Sequence, residues 1–253
     1  MEVHAHTHTP RKKWTHYLWE FLMLFLAVFC GFLAENFREH LIENAREKIF
    51  VKSLMEDLQK DSARLNYSIR RLKGDISNAD SLVRLYVKGN KNKSYETDMA
   101  KFGLRAGQSV DVVFNDRTSS QLKGTGSMRL IRNKEVADSL LQYWNNQIRI
   151  ALIHDRYETF RFEQRKIGWK TFNWYPLNYE NDDRKDTSIF NLHPVDFKGI
   201  STGISNDQMV NEFVNITSNL YSTAHYQYLE ELEKELLLAK DLILLIKNKY
   251  HLE

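Results

Sequence analysis

The chain has 253 residues, with 36 Lys and Arg against 33 Asp and Glu, giving a net charge of +3. So even a balance excludes a strongly basic nucleic-acid face. With 3 Pro and 10 Gly the composition argues against a turn-rich β fold, and the single Cys30 excludes a disulfide framework.

A polar tail, 1–13, comes first. His4, His6 and His8 alternate with Ala5 and Thr7. On an extended strand the three imidazoles would share one side, a candidate zinc or transition-metal set. The plainer reading is a solvated tail. Arg11, Lys12 and Lys13 close it.

Phe21 to Ala34 carries no charge and no strong polar group. A spanning helix needs roughly 20 apolar residues, so Trp14, Tyr17, Leu18 and Trp19 complete a span over 14–35, with aromatics at headgroup level. A cleaved signal peptide shares this layout, but Glu35-Asn36-Phe37-Arg38 offers no small-x-small cleavage site. The basic cluster beside the span predicts a cytoplasmic tail, an inner-membrane anchor and a periplasmic domain over 36–253. Within the span, Glu20, Leu24, Ala27, Gly31 and Ala34 fall on one helical seam. Small residues there permit close approach of another helix, and Glu20 is expected to face protein or water.

The helix is expected to run on past the lipid boundary. Arg38, Glu39, Glu43, Arg46 and Glu47 form a solvated charge pattern. A second seam follows: Leu58, Ser62, Leu65, Ile69, Leu72, Ile76, Ala79, Val83 and Tyr86, with Gly74-Asp75 as a point of bending or splitting. Gly89 to Lys93 breaks it, and a short helix is expected over Tyr95 to Phe102. Ser109 to Leu122 is ambiguous, because Val110, Val112, Val113 and Phe114 are strand-like, but a short helix after Asp116 is favoured. Gly124 to Ser127 reads as a tight connection, without the Lys-Ser/Thr ending of a phosphate loop. Asn133 then caps a long helix through Val136, Leu140, Tyr143, Gln147, Ile150, His154 and Tyr157 to about Phe162. His154 reads as a hydrogen-bonded core histidine.

From Trp169 to Ser205 the periodicity disappears. Trp169, Trp174, Tyr175 and Tyr179 accompany Asp182, Asp183 and His193 in a candidate ligand loop, without the Gly and terminal Glu of an EF-hand. Ser205 or Asn206 caps the last helix. Its face starts as Met209, Phe213, Ile216 and Leu220, then resumes as Leu229, Leu232, Leu236, Ala239, Ile243, Ile246 and Tyr250. These elements predict an all-α fold: a single N-terminal transmembrane helix continuing into an antiparallel helical bundle of about four main helices.

The stretch His4 to Lys48 (HAHTHTPRKKWTHYLWEFLMLFLAVFCGFLAENFREHLIENAREK) resembles a group of single-span membrane proteins of Bacteroidota-type bacteria. Thr118 to Trp144 (TSSQLKGTGSMRLIRNKEVADSLLQYW) is similar to a second block of that group. The resemblance covers about half the chain. It implies an anchored helical protein and brings no activity or functional residue with it.

No catalytic residue set is expected, since the soluble part has no thiol and no His-Glu-x-x-His helix. No cofactor and no nucleic-acid partner are implied. The expected function is a non-enzymatic scaffold or accessory subunit, whose partners are the membrane and other membrane-protein subunits or a second copy. A periplasmic ligand-sensing module signalling through a partner is the alternative.

Overall fold

A computed structural model of the chain describes residues 14–89, 94–124, 126–174 and 207–252. His4, His6, His8, Tyr175, Tyr179, Asp182, Asp183, His193 and the expected caps Ser205 and Asn206 lie outside the described residues. The described residues are helical, with no strand among them. The chain divides into two compact units, Met1–Val51 and Lys52–Glu253. That division falls later than the 35/36 boundary expected from hydropathy alone.

The first long element, α1, is Trp14–Lys88, a helix of 75 residues. No proline lies between Pro10 and Pro176, so nothing removes a ladder hydrogen bond along it. Gly74 does not split the helix as expected. It faces solvent with open space at its Cβ position, so its cost is the ordinary ~1 kcal/mol relative to Ala. Gly89, at φ +64, terminates the helix in the left-handed conformation that glycine adopts freely.

In the first unit, every residue from Trp14 to Ile42 is exposed. The apolar stretch within it is long and apolar enough to cross a membrane, and none of that window is buried.

In the second unit, α2 (Tyr95–Ala106) and α3 (Arg117–Gly124) are joined by an extended segment. The strand-like valines are therefore extended, and the favoured helix after Asp116 is α3. A short 3-10 turn, Ser127–Leu130, follows left-handed Gly126. The next helix, α4 (Lys134–Thr171), begins where the Val136 N–H donates to Asn133 Oδ1 at 3.1 Å. It ends nine residues beyond the expected Phe162. The final rod is α5 (Asp207–Thr223), one π-helical turn (Ala224–Tyr228), then α6 (Leu229–Tyr250), closed by left-handed His251.

Side-chain pairings fix the directions of the rods. Asp57, Asp61, Arg64 and Ser68 of α1 meet Thr118, Asn115, Val113 and Asp111 respectively. The order is reversed, so the α2–α3 stretch runs back along α1. Tyr143 meets Asp61 and Arg165 faces Asp75, so α4 runs with α1, while Asn146 meets Glu235 and Arg156 meets Gln227, so the last rod runs against α4. The second rod is the irregular one, broken by its extended segment.

Two apolar clusters fill the interior. One gathers Leu65, Ile69, Leu72, Ile150, Tyr157, Tyr228 and Leu232. The other gathers Leu82, Met99, Phe172, Trp174 and Phe213. The seam expected from Leu58 to Tyr86 is buried or half-buried throughout.

Candidate functional site

The five residues of the N-terminal seam, Glu20, Leu24, Ala27, Gly31 and Ala34, are all exposed on α1. A Cβ at Gly31 would meet nothing within 4 Å. His16 Nε2 lies 3.0 Å from Glu20 Oε1, one turn away.

The candidate ligand loop is corrected at its near end. Trp169 belongs to α4 and is 63% exposed, whereas Trp174 is 2% exposed. Trp174 Nε1 donates to Ala100 O at 3.1 Å, and its ring stacks on Phe172 and meets Phe213 edge-on. A Cβ on Gly168 would lie 2.1 Å from that ring, so the bare glycine makes the slot. The two tryptophans therefore lie in different settings, one on the outer side of α4 and one in the core. Burial of apolar area drew Trp174 into the core, where its N–H also found a carbonyl.

Three features were not anticipated. The first is a second apolar face on α4. Leu141, Ile148, Phe162 and Trp169 recur at multiples of seven, with Leu152 one turn beyond Ile148, and all are exposed. Leu140, Tyr143, Ile150 and Tyr157 occupy the buried side. The outer side thus carries large apolar residues among Asn145, Asp155, Thr159 and Lys166, more than a solvated helix face needs.

The second feature is a set of buried acids. Asp61 accepts from Asn115 N, Asn115 Nδ2 and Tyr143 Oη at 2.8, 3.0 and 2.9 Å. Burial raises its carboxyl above the usual range despite those donors. Glu235 is fully buried and accepts from Asn146 Nδ2 at 3.0 Å and from Gln147. Burial pushes its carboxyl up to about 8, with Asp61 adding to the rise. Asp75 is likewise pushed up to about 8 by burial, opposed by Arg71 and Arg165. Nothing in the sequence pattern singles these three acids out; only the fold supplies their partners.

The third feature centres on the π-helical turn. Its last residue, Tyr228, lies 3.0 Å from His154 Nδ1 and donates to Val110 O at 3.0 Å. Nearby, Tyr157 Oη donates to Gln108 O and Ser68 Oγ to Asp111 O. The segment 108–111 is therefore pinned by hydroxyls from α1, α4 and the π turn. A sequence signal for the turn existed. Leu220 and Leu229 are nine residues apart, which at roughly 100° per residue puts them on opposite sides of an unbroken α-helix. One extra residue per turn absorbs much of that jump.

Comparison of the chain with protein-family models, curated proteins and solved structures gave no match.

Proposed function

We propose that this chain is a non-enzymatic, single-span membrane subunit that holds other chains of a membrane complex. In this reading residues 14–35 cross the inner membrane, the tail 1–13 stays cytoplasmic, and the bundle stands on the periplasmic side. The supporting observation is apolar surface left unburied: the whole of Phe21–Ala34 on α1, and the heptad-spaced face of α4. In lipid the first needs no protein cover. The second remains in water, where exposed apolar side chains repeated along one side of a helix suit a contact with another chain.

The ligand-sensing alternative depended on aromatics gathered in one loop, and Trp174 is withdrawn from it into the core. The assembly reading is the one carried forward.

Native mass spectrometry and sizing of the full-length protein in mild detergent test it. A defined complex is expected, weakened by Ile148→Glu on the bundle and by Gly31→Leu on the anchor. A protein that runs strictly alone, unchanged by either substitution, overturns the reading.

A further inference from the structure

On α4, His154 and Glu158 sit one turn apart on a shared face, and Asp111 of the pinned extended segment lies opposite them. One ligand atom from each of the three falls within 4.8 Å of the other two. The state of the imidazole follows from its neighbours. Val110 O can only accept, so it takes the single hydroxyl hydrogen of Tyr228. Tyr228 Oη must then accept from His154 Nδ1–H. That leaves Nε2 as the ring atom facing the carboxylates, with Asp111 Oδ1 at 3.9 Å, beyond hydrogen-bond range. Ser109 Oγ donates to Asp111 Oδ1 at 2.9 Å and reaches Glu158 Oε1 at 3.4 Å, which holds the two carboxylates beside each other on the Nε2 side of the ring.

We propose that Asp111, His154 and Glu158 bind a divalent transition metal through one imidazole nitrogen and two carboxylates, with Tyr228 as the positioning residue that fixes the imidazole. Histidines that ligate metals donate their second ring N–H to an acceptor in this way, which sets both tautomer and orientation. One nitrogen with two oxygens suits zinc, manganese or ferrous iron better than calcium, which wants six to eight oxygens. Bonds of roughly 2.0–2.2 Å require the three groups to close together by about an ångström. Asp111, largely exposed, has the rotamer freedom for it, while its backbone stays pinned by Ser68. Arg161 already holds both oxygens of Glu158, so the metal shares that carboxylate with a guanidinium and the affinity is moderate. Three protein ligands leave further positions for water or another ligand, as in open sites. The π-helical turn that delivers Tyr228 adds independent support, since such turns concentrate at functional positions.

The test uses full-length protein with His4, His6 and His8 replaced by Ala, so that the tail cannot contribute. After chelator treatment, Co²⁺ is added and its absorption spectrum followed, with Zn²⁺ titrated by calorimetry. One equivalent per chain is expected. Asp111→Asn and His154→Ala each weaken it at least about tenfold, and Tyr228→Phe by about 10–100-fold. Circular dichroism confirms that each variant folds, and Asp111→Asn, at an exposed position, guards against a purely structural effect. No saturable binding, or binding that Asp111→Asn leaves unchanged, overturns the site.

Discussion

Around Phe213 the core closes by aromatic contact, with Phe172 and Trp174 packed on it and the Arg165 guanidinium over the Trp174 ring. Around Tyr228 it closes partly by hydroxyls given to backbone carbonyls, beside buried acids on α1 and α6. The difference lies in the neighbouring rod. At the Phe213 cluster the second rod is the regular helix α2, whose carbonyls are mostly spent internally. At the Tyr228 cluster it is the extended segment after Ala106, whose carbonyls need outside donors. Tyr157, Tyr228 and Ser68 supply them. An irregular rod therefore brings polar groups into a helical core, and with them ionisable chemistry.

The largest expected effect breaks the apolar end. Trp174→Ala removes a fully packed indole and its hydrogen bond to Ala100 O, and should cost about 3–5 kcal/mol in urea unfolding. Gly168→Ala reaches the same slot from the other side. Its Cβ would press into the ring at 2.1 Å, for about 1–3 kcal/mol. A loss under about 1 kcal/mol for Trp174→Ala would return that residue to the candidate ligand loop.

Which of this was legible depended on period. The seam from Leu58 to Tyr86 and the Asn133 cap could be read directly, because helical spacing and capping chemistry are local. The reach of α4 to Thr171 was missed because Trp169 and Lys170 carry no core-facing period by themselves. Asp57 shows the same limit. Its carboxylate accepts from the Thr118 backbone N–H and caps α3 from another rod, 61 residues away. Asp61 and Glu235 carry no signal in the sequence, since a donor such as Tyr143 or Asn146 is adjacent only in space.

The second prediction sharpens the polar end through pH. Glu235 has a folded value of about 8 against an ordinary 4.5, and Asp75 about 8 against 3.8. Between those limits the folded state holds more protons than the unfolded chain. Stability must therefore fall as pH rises from about 4.5 to 8 and level off above, by up to about 1.4 kcal/mol per pH unit for each group. In Glu235→Gln that fall should be shallower, with the variant gaining on the parent at pH 9. Chemical unfolding at a series of pH values reads this directly. An unchanged slope in the variant would show that Glu235 is ionised in the fold at neutral pH.

The smallest effect on stability separates folding surface from contact surface, and it uses a tryptophan five residues from the first. Trp169 sits on α4, the rod that contributes to both ends of the core, but on the side that neither end covers. Trp169→Ala removes an exposed ring with no hydrogen bond to lose among the described residues, so urea unfolding should shift by no more than about ±0.5 kcal/mol. If the heptad-spaced face docks another chain, the same substitution should loosen the complex in native mass spectrometry while the bundle melts normally. An aromatic at the centre of an interface is worth about 2 kcal/mol or more on truncation, a loss of roughly thirtyfold in affinity. Stability loss near that of Trp174→Ala would mean that Trp169 is core after all. Unchanged assembly with unchanged stability would remove it from the contact face and leave Leu141, Ile148 and Leu152 as the part of α4 that another chain covers.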